Sequence, residues 1–564
     1  MKKIINDPQD FVDEVVDGLL LAHGGELRAV DPDRRALVRS DAGTGGRVGI
    51  VTGGGSGHLP LFLGYVGVGL CSGVAVGNVF SSPSAEQILA ATLASDDGAG
   101  VLYLYGNYGG DVYNFDVAGD LARTRGVRTR TVLGTDDVTS APPERAETRR
   151  GVAGIFFAYK CAGAAAERGW DLDRVAEVAQ KAVDRTRTMG VGLSPTILPA
   201  AGEPTFTLEE GQMEVGIGIH GEPGHHRGAL ETADEITDRF LEEIFRELPV
   251  GEGDRVAILV NGLGATPLEE LYLVYRRAHR AVEARGATVH RRYVGEFATS
   301  LEMAGASLSV IHLDDELAEL IDDPAWSPFF AQGGVEPPRA PEGAPAVALD
   351  LAGGEREVRR AEDPGRLREL LLAVTERLGE HASELRELDA ALGDGDLGIT
   401  VSAGARAAHE AVAALPADAH PSEVLVAAGS AFAKANPSTF AALVGGGLLG
   451  ASEAVAGAEA FGTAELRAAL SGMIARVQER GGAQVGDKTF VDVMDAVRRA
   501  IAEDGAPAEL AQRAREAAAA EVESGAQRVS KRGRASWVGE RSQGHRDPGS
   551  VAFLRLVEEV AAVL

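Results

Sequence analysis

Arg47-Val48-Gly49-Ile50-Val51-Thr52-Gly53-Gly54-Gly55-Ser56-Gly57-His58 opens as a β-branched run and closes in a glycine-rich turn that bears a histidine. β-Branched residues suit a strand, and glycine lets the chain turn sharply at its end. The pattern recurs at 100–105 before Gly106 and at 255–260 before Asn261-Gly262-Leu263-Gly264, with helical patterns between such runs. Strand, loop and helix repeated in this order predict an α/β domain, and the recurrence after residue 250 predicts two subdomains within it.

The texture changes near residue 333. Residues 333–354 hold Pro337, Pro338, Pro341 and Pro345 among Gly, Ala and Glu, the composition of a linker. Beyond about 355, Ala, Leu, Glu and Arg dominate, β-branched runs become rare, and apolar positions recur at helical spacing, as in 466–477 and 490–501. The expected architecture is multidomain: an α/β domain over 1–332, a Pro/Gly/Ala-rich linker over 333–362 and an all-α domain over 363–564.

Inside the helical part lies Leu388-Asp389-Ala390-Ala391-Leu392-Gly393-Asp394-Gly395-Asp396-Leu397-Gly398, with three carboxylates in eight residues. Carboxylate oxygens suit Mg²⁺ or Ca²⁺, and the glycines let Asp389, Asp394 and Asp396 converge. An EF-hand loop starting at Asp394 needs a side-chain oxygen at its fifth position, where Gly398 stands, so that reading fails. A solvated acidic turn is the plain alternative, because Asp and Gly both favour turns.

The 564-residue chain carries a formal net charge of −29, with 45% hydrophobic and 25% charged residues. This composition builds packed cores, and the charge argues against gripping nucleic-acid phosphates through a basic face. A phosphorylated ligand would need metal ions to supply positive charge. Cys71 and Cys161 are the only cysteines, too few for a disulfide framework or a Cys-based zinc site. Met1-Lys2-Lys3 runs into Asp7, Asp10, Asp13 and Glu14 without an apolar signal-peptide core, and no apolar run reaches the length of a membrane span. A cytoplasmic protein without membrane or nucleic-acid partners is expected.

A Walker A loop needs a lysine after glycine, and none of the seven lysines follows one. Reading from Gly55 likewise gives no Gly-x-Gly-x-x-Gly fingerprint. The 53–58 segment instead offers backbone N–H groups and a histidine at the carboxyl end of a strand, where α/β sheets bind ligands; a plain tight turn is the alternative. Asn107-Tyr108-Gly109-Gly110-Asp111 puts Asp111 in a similar turn after a strand. Gly216-Ile217-Gly218-Ile219-His220-Gly221-Glu222-Pro223-Gly224 sets His220 among glycines, with little bulk to block its ring. A lone histidine is more often structural than catalytic, but three polar turns at strand ends in one α/β domain point to a site.

Together these motifs resemble those of single-chain, ATP-dependent dihydroxyacetone kinases. The matching segments are 53–58, the Asn-Tyr-x-Gly-Asp segment ending at Asp111, Gly-Ile-His-Gly-Glu-Pro-Gly at 218–224, 389–398, Gly481 to Thr489, and Arg534-Ala535-Ser536 through Asp547-Pro548-Gly549. They span nearly the whole chain in the family's order. The resemblance implies a ketose-binding α/β domain followed by an ATP-binding helical barrel. It makes His220 the histidine that holds the ketose as a hemiaminal, Asp111 the general base, and His58 a hydrogen-bonding partner that assists proton movement, with Gly55, Ser56 and Gly57 lining the ketose pocket. Asp389, Asp394 and Asp396 would hold two Mg²⁺ ions on the ATP phosphates. Gly395, Leu397, Ser438, Thr439, Gly481, Thr489, Phe490, Asp547, Pro548 and Gly549 fall at nucleotide positions, although the later ones also read as helix caps or turns. A homodimer is implied as well.

Three departures from the family bear on the substrate. Leu59-Pro60-Leu61-Phe62-Leu63-Gly64 stands where it usually has Glu-Pro-Ala-His-Ala-Gly, Gly106 where it has a lysine, and Leu397 where it has a polar or small residue. The expected substrate is dihydroxyacetone or the four-carbon ketose erythrulose. The alternatives are a ketose-binding regulator or phosphotransfer-system partner without ATP kinase activity, and an FAD-cyclising lyase side activity.

Overall fold

The computed structural model describes residues 2–339, 358–361, 363–392, 395–436, 438–458, 460–532 and 542–564. Asp394, Pro341, Pro345, Arg534, Ala535 and Ser536 lie outside these residues. The chain forms two compact units, Met1–Leu351 and Ala352–Leu564.

Unit one contains two six-stranded sheets. The first comprises β1 (Leu27–Ala29), β2 (Ala36–Arg39), β3 (Gly49–Ser56), β4 (Gly73–Val79), β5 (Val101–Gly106) and β6 (Thr129–Gly134), in the order β1-β2-β4-β3-β5-β6. From β4 to β6 the neighbours are parallel, and β1 and β2 add an antiparallel edge. Alternation along β5 shows that both faces are covered. Leu102 and Leu104 share a core with the helix Ile155–Glu167, whereas Val101, Tyr103 and Tyr105 share another with the helices Ala85–Ser95 and Gly109–Thr124.

The second sheet comprises β7 (Thr186–Gly192), β8 (Gln212–Val215), β9 (His226–Ala229), β10 (Arg255–Gly262), β11 (Thr288–Gly295) and β12 (Gly305–Leu313), in the order β11-β10-β12-β7-β8-β9. Only β10 and β11 are parallel. The amphipathic helices Ala233–Glu247 and Leu268–Glu283 bury Phe240, Ile244, Leu271 and Ala278 in one core with Ile258, Val260 and Leu308.

Three local expectations change. Gly53-Gly54-Gly55 is not a turn but part of β3, and the chain turns only at Gly57, whose φ is +101°. These glycines serve close approach: a Cβ on Gly54 would stand 2.3 Å from the Phe62 ring, and one on Gly55 would stand 2.8 Å from Phe80 Cα. β10 likewise runs through Asn261-Gly262, where the buried Asn261 amide accepts the Phe297 and Ala298 N–H groups at 2.8 Å. Asp111 sits in the first turn of the helix Gly109–Thr124 and not in a loop.

In unit two, every regular element from Leu367 onward among the described residues is a helix. Leu367–Leu378, Leu397–Ala413, Pro421–Ala435, Thr439–Ala454, Thr463–Gly481, Phe490–Ala500, Pro507–Ala526 and Pro548–Val563 pack each on the next, and the last packs back on the first, closing a barrel. Small residues allow close crossings: a Cβ on Gly450 or Gly472 would stand 2.7 or 2.5 Å from the other's carbonyl oxygen. Val374, Leu385, Val401, Met473, Val491, Met494 and Val551 belong to one core.

Candidate functional site

Because β3, β4 and β5 are parallel neighbours, the segments leaving their carboxyl ends lie side by side and bring His58, Phe80 and Asp111 together. His58 is 1% exposed. Its ring stacks on Phe80 with centroids 4.8 Å apart and planes 10° apart, and Nδ1 lies 2.8 Å from the Thr299 carbonyl oxygen. The loop between β11 and β12 encloses it further, since Leu301 N–H donates to Gly57 O at 2.7 Å and Thr299 Oγ1 to Leu59 O at 2.8 Å. With Nδ1–H given to Thr299, Nε2 is a buried acceptor without a hydrogen-bond partner among the described residues. Burial, then the electrostatic influence of nearby His220, push the His58 pKa down to about 3, so the ring is neutral.

His220 arrives on the loop after β8. Its ring meets His58, Tyr108 and Phe80 edge-on, with centroids 4.8, 4.8 and 5.2 Å away. Glu222 grips it twice, accepting Nδ1–H on Oε1 and the backbone N–H on Oε2, each at 2.9 Å. Burial alone would raise the Glu222 carboxyl, but the His220 ring and Arg150 hold it well below the usual range. Asp111 is buried, with Oδ1 unpartnered among the described residues. Burial raises its pKa to about 7 against a hydrogen bond from Ser82 and the electrostatic influence of His220. Ser56 Oγ donates to Gly77 O at 2.9 Å, which ties β3 to β4 beside the cluster.

Sequence reasoning missed Phe80, Tyr108, Glu222 and Arg150. Only Glu222 left a local signal, a carboxylate two residues after a histidine in a glycine loop. Gly106 explains the place of Tyr108: a Cβ there would stand 3.0 Å from the tyrosine ring, so the missing side chain admits that ring beside His220. A cavity of about 320 Å³ is lined by Gly55, Ser56, Gly57 and His58 on one side and by Phe11, Val12, Val16 and Phe62 on the other, but by neither Asp111 nor His220.

In unit two most of the singled-out positions are helix starts. Asp396 precedes Leu397–Ala413, while Ser438, Thr489 and Asp547 cap Thr439–Ala454, Phe490–Ala500 and Pro548–Val563 through their side chains. These starts adjoin one another. Thr400 Oγ1 lies 3.4 Å from Ser438 Oγ, the Phe440 and Phe490 ring centroids are 5.5 Å apart, and a Cβ on Gly549 would stand 3.4 Å from the Phe440 ring. Unpaired N–H groups and the positive ends of helix dipoles make such a place favourable to phosphate. Gly481 ends its helix against Leu443. Burial raises the Asp547 pKa to about 6, against its hydrogen bonds from Ser550. Asp389 Oδ2 accepts the Leu397 N–H at 3.2 Å and Gly395 turns at φ +77°, so Asp389 and Asp396 bring hard oxygen donors suited to Mg²⁺ to one turn. Asp394 lies outside the described residues, among which no metal-binding cluster of three or more His, Cys, Asp or Glu occurs.

Residues 17–329 match the Dak1 domain and residues 391–562 the DAK2 domain. The chain is 39% identical over 579 residues to the L-erythrulose 1-kinase of Mycolicibacterium smegmatis, covering 99% of each protein. It is 36% identical over 585 residues to the L-erythrulose kinase of Pectobacterium atrosepticum, covering 100% of this chain and 97% of that one. Among solved structures, the dihydroxyacetone kinase from C. freundii in complex with AMP-PNP and Mg²⁺ is similar over 100% of both chains, with a TM-score of 0.54 and 26% identity. Fold and site therefore define a two-domain phosphotransferase with an alcohol acceptor. The chain belongs to the dihydroxyacetone kinase family whose members join a Dak1 and a DAK2 domain.

Proposed function

We propose that this protein transfers the γ-phosphoryl group of ATP to a primary hydroxyl of a short-chain ketose, erythrulose ahead of dihydroxyacetone. The observation that carries the reading is His220, held by Glu222, beside two buried atoms, His58 Nε2 and Asp111 Oδ1, that have no hydrogen-bond partner among the described residues. The full-length similarity to two erythrulose kinases supports the four-carbon choice.

In this reading the His220 Nε2 lone pair attacks the ketose carbonyl carbon. A C–N bond forms, the C=O π pair moves to oxygen, that oxygen takes up a proton from solvent, and the positive charge left on the ring is matched by Glu222. Only a carbonyl compound is captured, so glycerol is rejected. His58 Nε2 accepts a hydrogen bond from the ketose and assists proton movement, while Gly55, Ser56 and Gly57 line the pocket. Ionised Asp111 accepts the hydroxyl proton as the oxygen attacks the γ-phosphorus and the bond to ADP breaks.

Asp389, Asp394 and Asp396 would hold two Mg²⁺ ions on the ATP phosphates, neutralising charge as it develops. Gly395, Leu397, Ser438, Thr439, Gly481, Thr489, Phe490, Asp547, Pro548 and Gly549 would shape the nucleotide pocket. We further place the α/β domain at 1–332, a linker at 333–362 and the helical domain at 363–564, in a cytoplasmic homodimer. Among the described residues no helix is long and apolar enough to cross a membrane.

Purified protein with ATP, Mg²⁺ and a panel of D-erythrulose, L-erythrulose, dihydroxyacetone and glycerol tests the proposal. Ketose phosphate formed without any phosphocarrier protein is expected. Its absence would favour the regulator reading, and dihydroxyacetone preferred by orders of magnitude would sink the four-carbon choice. An FAD-cyclising side activity, if present, should survive in His220→Ala.

A further inference from the structure

We propose that Arg150, anchored by Asp137, is a positioning residue that keeps Glu222 an anion and so fixes His220 with its Nδ1 proton toward Glu222 and its Nε2 lone pair toward the substrate. The arrangement is built from three separate segments and is almost wholly buried. Arg150 and Asp137 are 7% and 3% exposed. The Arg150 guanidinium donates from Nε to Asp137 Oδ2 at 2.9 Å and from Nη2 to Gly216 O at 3.1 Å, with Nη2 also 2.7 Å from Asp137 Oδ2. Thr139 fixes the other Asp137 oxygen, donating from its backbone N–H at 3.0 Å and its hydroxyl at 2.7 Å. Arg150 Nη1 then stands 3.9 Å from Glu222 Oε2, the oxygen that accepts the His220 backbone N–H.

Gly218 makes this approach possible. A Cβ there would stand 2.1 Å from Glu222 Oε2 and 2.5 Å from Arg150 Nη1, so any side chain would part the two. Charge supplies the purpose. Asp137 and Glu222 are two anions against one guanidinium, which leaves one net negative charge facing the His220 ring. A neutral ring satisfies it by donating Nδ1–H, and a ring made cationic at Nε2 by bond formation neutralises it. Burial of a lone carboxylate favours its protonated form. A protonated Glu222 could offer its own proton to Nδ1, which would put the ring proton on Nε2 and remove the nucleophilic lone pair.

The inference rests on the hemiaminal reading for its purpose but is tested separately from it. Full-length protein carrying ¹⁵N-histidine is examined by NMR, with His220 assigned through His220→Asn. The wild type is expected to show His220 as the Nδ1–H tautomer. Asp137→Asn combined with Arg150→Gln removes an anion and a cation together, and there the Nε2–H tautomer should become the major one, with KM for the ketose rising about tenfold or more and KM for ATP unchanged. Arg150→Lys, which keeps the charge, should retain the wild-type tautomer. Should the double variant not fold, Glu222→Gln provides the same readout and should lose the Nδ1–H preference. A wild-type Nε2–H tautomer, or a tautomer that stays put in the double variant or, should that not fold, in Glu222→Gln, overturns the proposal. If the wild type shows Nδ1–H yet [2-¹³C]ketose keeps its carbonyl signal at saturation, the hemiaminal reading fails while the positioning role stands.

Discussion

The rings of His58 and His220 stand edge to face, centroids 4.8 Å apart and planes at 78°, but only His220 has a carboxylate partner. His58 gives its Nδ1 proton to a backbone carbonyl and keeps a neutral, buried Nε2. Neighbouring rings of the same chemistry thus have opposite electrostatic surroundings, one backed by an anion and the other by a peptide dipole and a phenyl face.

Different losses are expected from removing each. His220→Ala should abolish ketose phosphorylation, because it removes the nitrogen that captures the carbonyl, and His58, without a carboxylate behind it, does not replace that nitrogen. His58→Ala should lower kcat by about 10²–10⁴, the usual range for a proton-handling group, while leaving carbonyl capture intact. Steady-state rates with ATP and ketose, together with ¹³C NMR of the bound carbonyl carbon, separate the two. Equal loss of capture in both variants would mean that His58 acts in binding rather than in proton movement.

Asp111 should set the pH dependence. A base must be ionised, so kcat/KM is expected to rise about tenfold per pH unit below the Asp111 pKa of about 7 and to level off above it. Stability runs the other way. The folded-state value lies above the ordinary 3.8, so folding favours the protonated carboxyl; that contribution is fully present below about 3.8 and is lost as pH rises through about 7. Asp111→Asn keeps the neutral form and should unfold later than wild type above pH 7, by no more than ~4 kcal/mol, with activity lost. Thermal unfolding at a series of pH values checks the sign, and a variant that melts earlier above pH 7 would contradict it.

Metal dependence should follow the acidic turn. Asp389 both accepts the Leu397 N–H and, in the proposed reading, binds Mg²⁺. Asp389→Asn and Asp396→Asn should therefore raise the Mg²⁺ concentration for half-maximal rate by at least about 10–100-fold. Chelation should stop ATP turnover but not ketose capture by His220. ATP titrations with and without Mg²⁺ provide the check. Unaltered metal dependence in both variants would return the turn to a solvated acidic loop.

His58, Asp111 and His220 were legible in the chain because each stands among glycines near a strand end, a local pattern. Glu222 was half legible from its place in the His220 loop. Arg150 was not, since its partners come from two distant segments, Asp137 from one and Gly216 and Glu222 from the His220 loop, and no spacing links them to it. Gly53-Gly54-Gly55 was misread for a related reason. Glycine marks either a turn or a close approach, and only the Phe62 ring and the Phe80 backbone, from later in the chain, decide which. In the helical unit, Thr489 and Asp547 read as caps and are caps, and Ser438, read only as a phosphate contact, caps its helix too; that their helix starts adjoin one another depends on the closed packing, which no single helix reveals.

Gly55 offers a test of that close approach. It pairs with Gly77 in the parallel ladder of β3 and β4, and a Cβ on it would stand 2.6 Å from Ser81 N and 2.8 Å from Phe80 Cα. Both obstacles are backbone, so neither can swing aside as a flexible side chain would. Gly55→Ala must push the Phe80 segment outward and draw its ring off His58, at an overpacking cost of about 1–3 kcal/mol. The expected outcome is earlier unfolding of unit one and a raised KM for the ketose, with Mg²⁺-dependent ATP binding by unit two unchanged. Calorimetry and nucleotide titration on the full chain measure all three. A Gly55→Ala protein with wild-type KM would show that the Phe80 ring can leave His58 without loss, and that the stacked pair is packing rather than part of the site.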